Sequence, residues 1–318
     1  MRVAVLLTFC LALAAATNYE QEFLNFVMKY NKVYAHDSEV AARFGIFSAN
    51  LDKINAHNAK GLSWTMGLNE FADQTAEEFF STHLGFAGQT ERSGAEVNLA
   101  GVFNAPASVD WTSAGAVTGV KNQGQCGSCW SFSTTGSVEG AVEISSGRLT
   151  SLSEQQLVDC STQNSGCNGG LMDYAFRFIE SNGGLCAESA YPYTARDGTC
   201  KKSCSAVSTI SGYKDVSRYN EAALESAVAL GPVSVAIEAD QSSFQFYNGG
   251  VMSGSCGTSL DHGVLAVGYG TDNGQAYWKV KNSWGANWGE SGYIRLAKNF
   301  QSPYGQCGIA MQPSYALA

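Results

Sequence analysis

The sequence predicts an α+β fold of two lobes with a cleft between them, preceded by a mostly helical N-terminal unit. Three observations carry this. Helical patterns dominate from the start of the second unit to about residue 184, and strand-like runs dominate after about residue 206. Residues 18–104 differ from both, with no cysteine and three of the four histidines. Helices followed by strands favour segregated layers over an alternating βαβ pattern. The 318 residues, 45% hydrophobic and 15% charged, suffice for one large core or two moderate ones and argue against disorder. The net charge is -9 and no basic cluster exceeds Lys201-Lys202, so the electrostatic footprint of a nucleic-acid binder is missing.

Taken in order, Arg2 precedes the apolar run Val3 to Ala16, which ends in small residues and is too short to span a bilayer comfortably. Residues 1–16 therefore read as a cleaved secretory signal. No later segment has the length and apolarity of a membrane span, so no membrane anchor is expected. Next, Glu39, Arg43, Phe47, Asn50, Ile54 and Asn58 fall within an arc of about 100° on one helix. Residues 85–104 are Gly- and Ala-rich, as expected of an extended connector open to cleavage. Beyond it, the segment after Cys129 is long and rich in small residues, which suits a buried helix. Leu171, Tyr174, Ala175, Phe178 and Ile179 keep helical periodicity up to the Gly183-Gly184 stop. Strands are expected at Val233 to Ala239, Val264 to Tyr269, Tyr277 to Val280 and Tyr293 to Leu296.

The chemistry is narrowed by scarcity. After the early hundreds only one histidine occurs, His262, which lies 133 residues after Cys129 and 20 before Asn282. A cysteine nucleophile needs a base, and the base needs an orienting group. Setting Cys10 aside with the signal leaves nine cysteines, an odd number, so at least one stays free or pairs outside the chain. Removing Cys129 as a nucleophile leaves eight, enough for four bridges among about a hundred pairings.

Gln123, the run Cys126-Gly127-Ser128-Cys129-Trp130, Asp261-His262-Gly263 and Asn282-Ser283-Trp284-Gly285 resemble the papain-like cysteine peptidases, in particular the cathepsin L-like branch. The helix face starting at Glu39 and the run Gly67-Leu68-Asn69-Glu70-Phe71-Ala72-Asp73 resemble that branch's two propeptide motifs. The resemblance covers nearly the whole chain after the signal. It implies a papain-like fold, with a helical lobe carrying Cys129 and a β-barrel-like lobe carrying His262. It also implies a propeptide over 17–104 acting as an intramolecular inhibitor and a mature domain over 105–318, which keeps 12 Lys+Arg against 17 Asp+Glu, or 12 - 17 = -5.

By the same resemblance Cys129 is the nucleophile, His262 the base and Asn282 its orienter, with Trp284 shielding their bond, and Gln123 with the Cys129 N–H supplies the oxyanion donors. A thiolate-imidazolium pair is the expected resting form. Gly169 and Gly170 would let a substrate backbone run along the cleft as an added strand. Met172, Ala236, Leu260 and Gly263 would line the pocket for an apolar or aromatic side chain two places before the scissile bond, with Gln312 at its base. Asp261 and Trp284 complete the substrate-binding set. The resemblance pairs Cys126 with Cys167, Cys160 with Cys200 and Cys256 with Cys307, and a fourth bridge between Cys186 and Cys204 is inferred from what remains. Protein and peptide substrates and cystatin-type inhibitors are the implied partners of a monomer, with no metal and no cofactor.

Rival readings were a redox C-x-x-C module, which would want a βαβ pattern that is missing, and a zinc site using Cys200 and Cys204, which secretory targeting disfavours. A silent binding protein would be expected to have replaced the Cys or the His. Exopeptidase or transpeptidase action on the same fold stays open, as does lysosomal against extracellular location, since no N-x-Ser/Thr acceptor follows the signal. Acid is expected to loosen the propeptide by protonating carboxylates such as Glu39 and Asp73.

Overall fold

The computed structural model describes residues 18–88, 92–254 and 256–318. The apolar run read as a signal, and Cys10 within it, lie outside the described residues. The N-terminal unit comprises a helix, α1, over 18–29, then α2 (Asp37–Asn58), β1 (Trp64–Met66) and α3 (Ala76–His83). The six residues expected on one face all fall in α2: Phe47, Asn50 and Ile54 are buried, Glu39 and Arg43 half-buried, and Asn58 exposed. Each does a local job. Phe47 packs against Phe23 and Phe26 of α1 with ring centroids 5.3 and 5.1 Å apart. Asn50 Nδ2 donates to the Ala72 and Gln74 carbonyls at 3.0 and 2.9 Å, and Asn58 exchanges two 2.9 Å bonds with the Met66 backbone. α3 opens with a reciprocal Thr75–Glu78 cap, and Arg43 reaches Glu78 at 2.7 Å.

The helical lobe follows with α4 (Cys129–Ser146), α5 (Glu154–Cys160) and α6 (Met172–Asn182). Small residues on α4 permit close packing: a Cβ on Gly136 would lie 2.6 Å from Leu265 Cδ2, and one on Gly140 2.5 Å from Pro232. α6 stops at Gly183, whose φ of 74° gives the left-handed cap. The lobe's core joins Trp130, Val138, Leu157, Phe176, Ile179 and Leu185.

The second lobe is built on one sheet. Its strands are β2 (Ala95–Val97), β3 (Val109–Asp110), β4 (Gly212–Val216), β5 (Val233–Ile237), β6 (Tyr247–Met252), β7 (His262–Asp272), β8 (Gln275–Lys281), β9 (Tyr293–Ala297) and β10 (Ser314–Leu317). The order is β1-β6-β9-β8-β7-β5-β10-β4-β2, with β3 pairing β7. Both ends of this path, β1 and β2, come from the segment before residue 105, so that segment covers edges that would otherwise offer unpaired backbone groups. Two helices interrupt the expected run of strands, α7 (Glu221–Leu230) and the short α8 (Ser242–Gln245).

Bridges join Cys126 to Cys167, Cys160 to Cys200, Cys186 to Cys204 and Cys256 to Cys307, and among the described residues Cys129 is the free cysteine. Loops of 18 to 51 residues are closed in this way. Each bridge should stabilise the fold by about 3–4 kcal/mol on a chain-entropy account.

Candidate active site

Register brings the site together. β7 and β8 pair antiparallel with Leu265 opposite Lys281. β7 opens at His262 and β8 ends at Lys281, so Asn282 and Trp284 follow directly from the strand that pairs with the one carrying His262. The His262 and Trp284 rings stack with centroids 4.7 Å apart, both fully buried. His262 Nε2 lies 2.8 Å from Asn282 Oδ1, and the same oxygen accepts the Ser283 N–H at 2.8 Å. An oxygen holding both contacts can only accept, so Nε2 carries the proton and Nδ1 is the free base. Nδ1 is buried and has no hydrogen-bond partner of its own.

Cys129 enters from the other lobe as the first residue of α4. Gly263 lets β7 pass close to that helix end: a Cβ there would sit 3.3 Å from Trp130 Cα, and its N–H donates to Cys129 Sγ at 3.3 Å. Gln123 is oriented through its oxygen, which accepts from Ser283 Oγ at 2.6 Å, and through its Nε2, which donates to the Cys126 carbonyl at 2.9 Å. The same Nε2 donates at 2.9 Å to the carbonyl of His83, a residue of the N-terminal unit.

That unit fills the cleft. The Gly85 and Phe86 N–H groups donate to the Asp261 carbonyl at 3.1 and 2.9 Å, while Gly170 N–H donates to Gly85 O and Ala87 N–H to Gly170 O, at 2.9 and 3.1 Å. The backbone therefore bridges both walls. Gly85 has no room for a side chain, since a Cβ would lie 1.9 Å from the Gly127 carbonyl oxygen. Gly169, at φ 111°, faces the same chain, with its own Cβ position 2.9 Å from Gly85 O. Phe86 joins the buried cluster that includes Met172 and Ala236, with Leu260 packed on it. Gln312 is partly buried and directly precedes Pro313, whose carbonyl accepts from Arg92.

Covering the cleft changes its electrostatics. Burial pushes the Cys129 thiol up to about 12, against the lowering effect of the Gly263, Gly85 and Trp130 amides. Burial likewise drives the His262 imidazole down to about 4, opposed by Asn282 and helped by nearby His83. At neutral pH the covered pair is thus thiol and neutral imidazole. The expected ion pair is not the resting form here, because charge separation is unfavourable until the cleft opens to water and the helix N-terminus can act on the sulfur. Behind Asn282 a buried network links Lys121 to Glu154 at 2.6 Å and to Glu139 at 3.2 Å, and Lys281 to Thr118 at 3.1 Å. Burial raises Glu154 to about 7.

Sequence reasoning missed His83, Gly85 and Phe86. His83 is only 3% exposed, stacks on Phe79 at 4.5 Å and meets Trp284 edge-on at 6.2 Å, and burial lowers it to about 4. The one available signal was a glycine beside aromatic residues in a stretch read as connector.

Residues 105–317 match the papain family cysteine protease model, and residues 23–79 match the cathepsin propeptide inhibitor domain. The senescence-specific cysteine protease SAG39 of Oryza sativa subsp. japonica is 50% identical over 297 residues, covering 91% of this chain and 88% of that protein. Among solved structures, a recombinant stem bromelain precursor is similar at 42% identity and a TM-score of 0.89, over 94% of this chain and 99% of that one. Digestive procathepsin L 3 of Tenebrio molitor larval midgut is similar at 44% identity and a TM-score of 0.86, with the same coverage of 94% and 99%.

Proposed function

We propose, because this chain belongs to the papain family of cysteine proteases and is a zymogen with a cathepsin-type inhibitor domain, that it is a secretory-pathway endopeptidase using Cys129, His262, Asn282 and Gln123. Residues 1–16 are removed on entry to the pathway and 17–104 on activation. The enzyme then acts in an acidic lysosome-like compartment or outside the cell.

The observation carrying this reading is the 2.9 Å contact from Gln123 Nε2 to the His83 carbonyl. A donor already aimed at a backbone carbonyl oxygen beside a free cysteine can equally take the oxygen of a scissile peptide. Once the propeptide leaves, His262 Nδ1 accepts the thiol proton and Cys129 Sγ bonds to the substrate carbonyl carbon. Negative charge collects on the carbonyl oxygen, held by Gln123 Nε2 and the Cys129 N–H. Imidazolium Nδ1 protonates the amine as the C–N bond breaks, leaving a thioester. Water, deprotonated by the same Nδ1, displaces the sulfur and regenerates the thiol. Asn282 holds the ring throughout, and Trp284 keeps water from their bond.

The pocket occupied by Phe86 favours an apolar or aromatic side chain two residues before the cleaved bond, with Met172, Ala236, Leu260 and Gly263 as its lining. The resemblance assigns Gln312 to its base. Endopeptidase action should appear as internal cleavage of peptides blocked at both ends. The test is acid activation followed by hydrolysis of a fluorogenic peptide with Phe or Leu at that position, comparing wild type with Cys129→Ser. Activity should fall by at least about 10⁴-fold in the variant. Retained hydrolysis there, or none in fully processed wild type, would overturn the reading. N-terminal sequencing of the product should begin at Asn104 or Ala105.

A further inference from the structure

The connector does more than lead out of the cleft. Arg92 drives its guanidinium into the catalytic domain, with its side chain 8% and that of Asp215 1% exposed, and Nη2 to Oδ1 at 3.1 Å. Nη1 donates to the Val216 carbonyl at 2.6 Å and Nη2 to the Pro313 carbonyl. Ser93 Oγ meets Tyr213 OH at 2.7 Å, and the Gly94 N–H donates to Asp215 Oδ2 at 2.8 Å. Gly94 is needed for this approach, since a Cβ would sit 2.7 Å from Asp215 Cγ. The chain then runs parallel to β4, setting Ala95, Glu96 and Val97 beside Lys214, Asp215 and Val216.

These contacts lie outside the chemistry of Cys129, yet they are built. The Asp215 carboxylate is met by a guanidinium and an amide, both from the connector. Burial and the neighbouring Asp173 carboxylate already disfavour its charge. Once the connector leaves, the catalytic domain keeps the Asp215 carboxylate without that counter-charge, the Val216 and Pro313 carbonyls that Arg92 had met, and the open edge of β4.

We propose that this vacated pocket is a guanidinium-binding exosite of the processed enzyme, which captures an extended, arginine-bearing peptide by pairing Asp215 with the guanidinium and β4 with the peptide backbone. The connector shows the pattern of its occupant: arginine, two small residues, then a strand. The inference rests on removal of residues 17–104 on activation.

The test uses the full chain, acid-activated and then alkylated at Cys129 with iodoacetamide so that the probe survives. Fluorescence anisotropy follows a labelled hexapeptide of residues 92–97 and its Arg92→Ala form. Saturable binding is expected, weakened about tenfold or more both by Arg92→Ala in the peptide and by Asp215→Asn in the protein. Equal binding of the two peptides to wild-type protein, or no saturable binding of the arginine peptide, overturns the proposal even where Asp215→Asn fails to fold. Processing and hydrolysis are read on the same sample before alkylation. Their failure would overturn the protease reading and this inference together, whereas intact hydrolysis without arginine-dependent binding overturns the inference alone.

Discussion

The catalytic domain and the propeptide meet across the cleft but are held together by different means. The first has four disulfides and a core in each lobe, neither sensitive to moderate acid. The propeptide residues 18–88 contain no cysteine and rely on a small aromatic core. The Arg43–Glu78 ion pair is partly exposed, with side chains 25% and 44% exposed, and such a pair contributes little. The same residues also bury His83 without a counter-charge. The difference teaches how one chain can contain both a durable enzyme and a removable inhibitor.

The His83 shift makes this quantitative. Burial holds its imidazole down to about 4 when docked, and release to water returns it to the usual imidazole value of about 6.5. The released state therefore binds more protons in that window, and docking is fully favoured above pH 6.5 and weakens as pH falls toward 4. By that linkage the loss is on the order of 3 kcal/mol at most. Glu78 works in the same direction, since its bond to Arg43 lowers its pKa, but that stabilisation is lost only below the usual carboxylate range.

The largest expected break is Phe79→Ala. It empties the aromatic cap over Trp284 and should weaken propeptide docking by about 3–5 kcal/mol. Unprocessed zymogen would then hydrolyse peptide substrate at neutral pH, and full latency would contradict the packing argument. Gln123→Ala strikes the other side of the cleft. It should lower kcat about 10²–10³-fold with little change in KM, as read from steady-state kinetics of the processed enzyme. His83→Gln should sharpen the comparison by flattening the pH dependence of activation between about 6.5 and 4 while leaving processing competent. A pH profile unchanged from wild type would locate the switch elsewhere. The smallest effect is expected for Asp73→Asn, which weakens the contacts to Lys32 and Tyr34, each 2.9 Å. A loss near 1 kcal/mol in propeptide stability should appear as a modestly lowered thermal midpoint of the zymogen.

Much of the architecture was legible because it follows from local pattern. The α2 face and α6 show a helical period, α4 shows a long run of small residues, β5, β7, β8 and β9 read as strand-like runs, and Gly183 stops α6 where a left-handed residue is required. α7 was not read. Its run of alanines and leucine carries no clear face, and Asn220 caps it by accepting the Ala223 N–H. β1 and β2, the two ends of the sheet, carry no such signal either, since short edge strands are defined by their partners rather than by their residues.

The sequence by itself determined that the part after residue 105 carries one histidine, with a cysteine before it and an amide after it in a constrained order, behind a helical inhibitor, because residue types and spacings are read along the chain. Tertiary structure alone decided that the inhibitor lays His83 O on Gln123, threads Gly85 between two walls and sinks Arg92 onto Asp215. Those contacts join residues 40 to more than 120 positions apart. No periodicity along the chain can encode them, since their energies come from close approach and exclusion of water, which exist only once both units have packed.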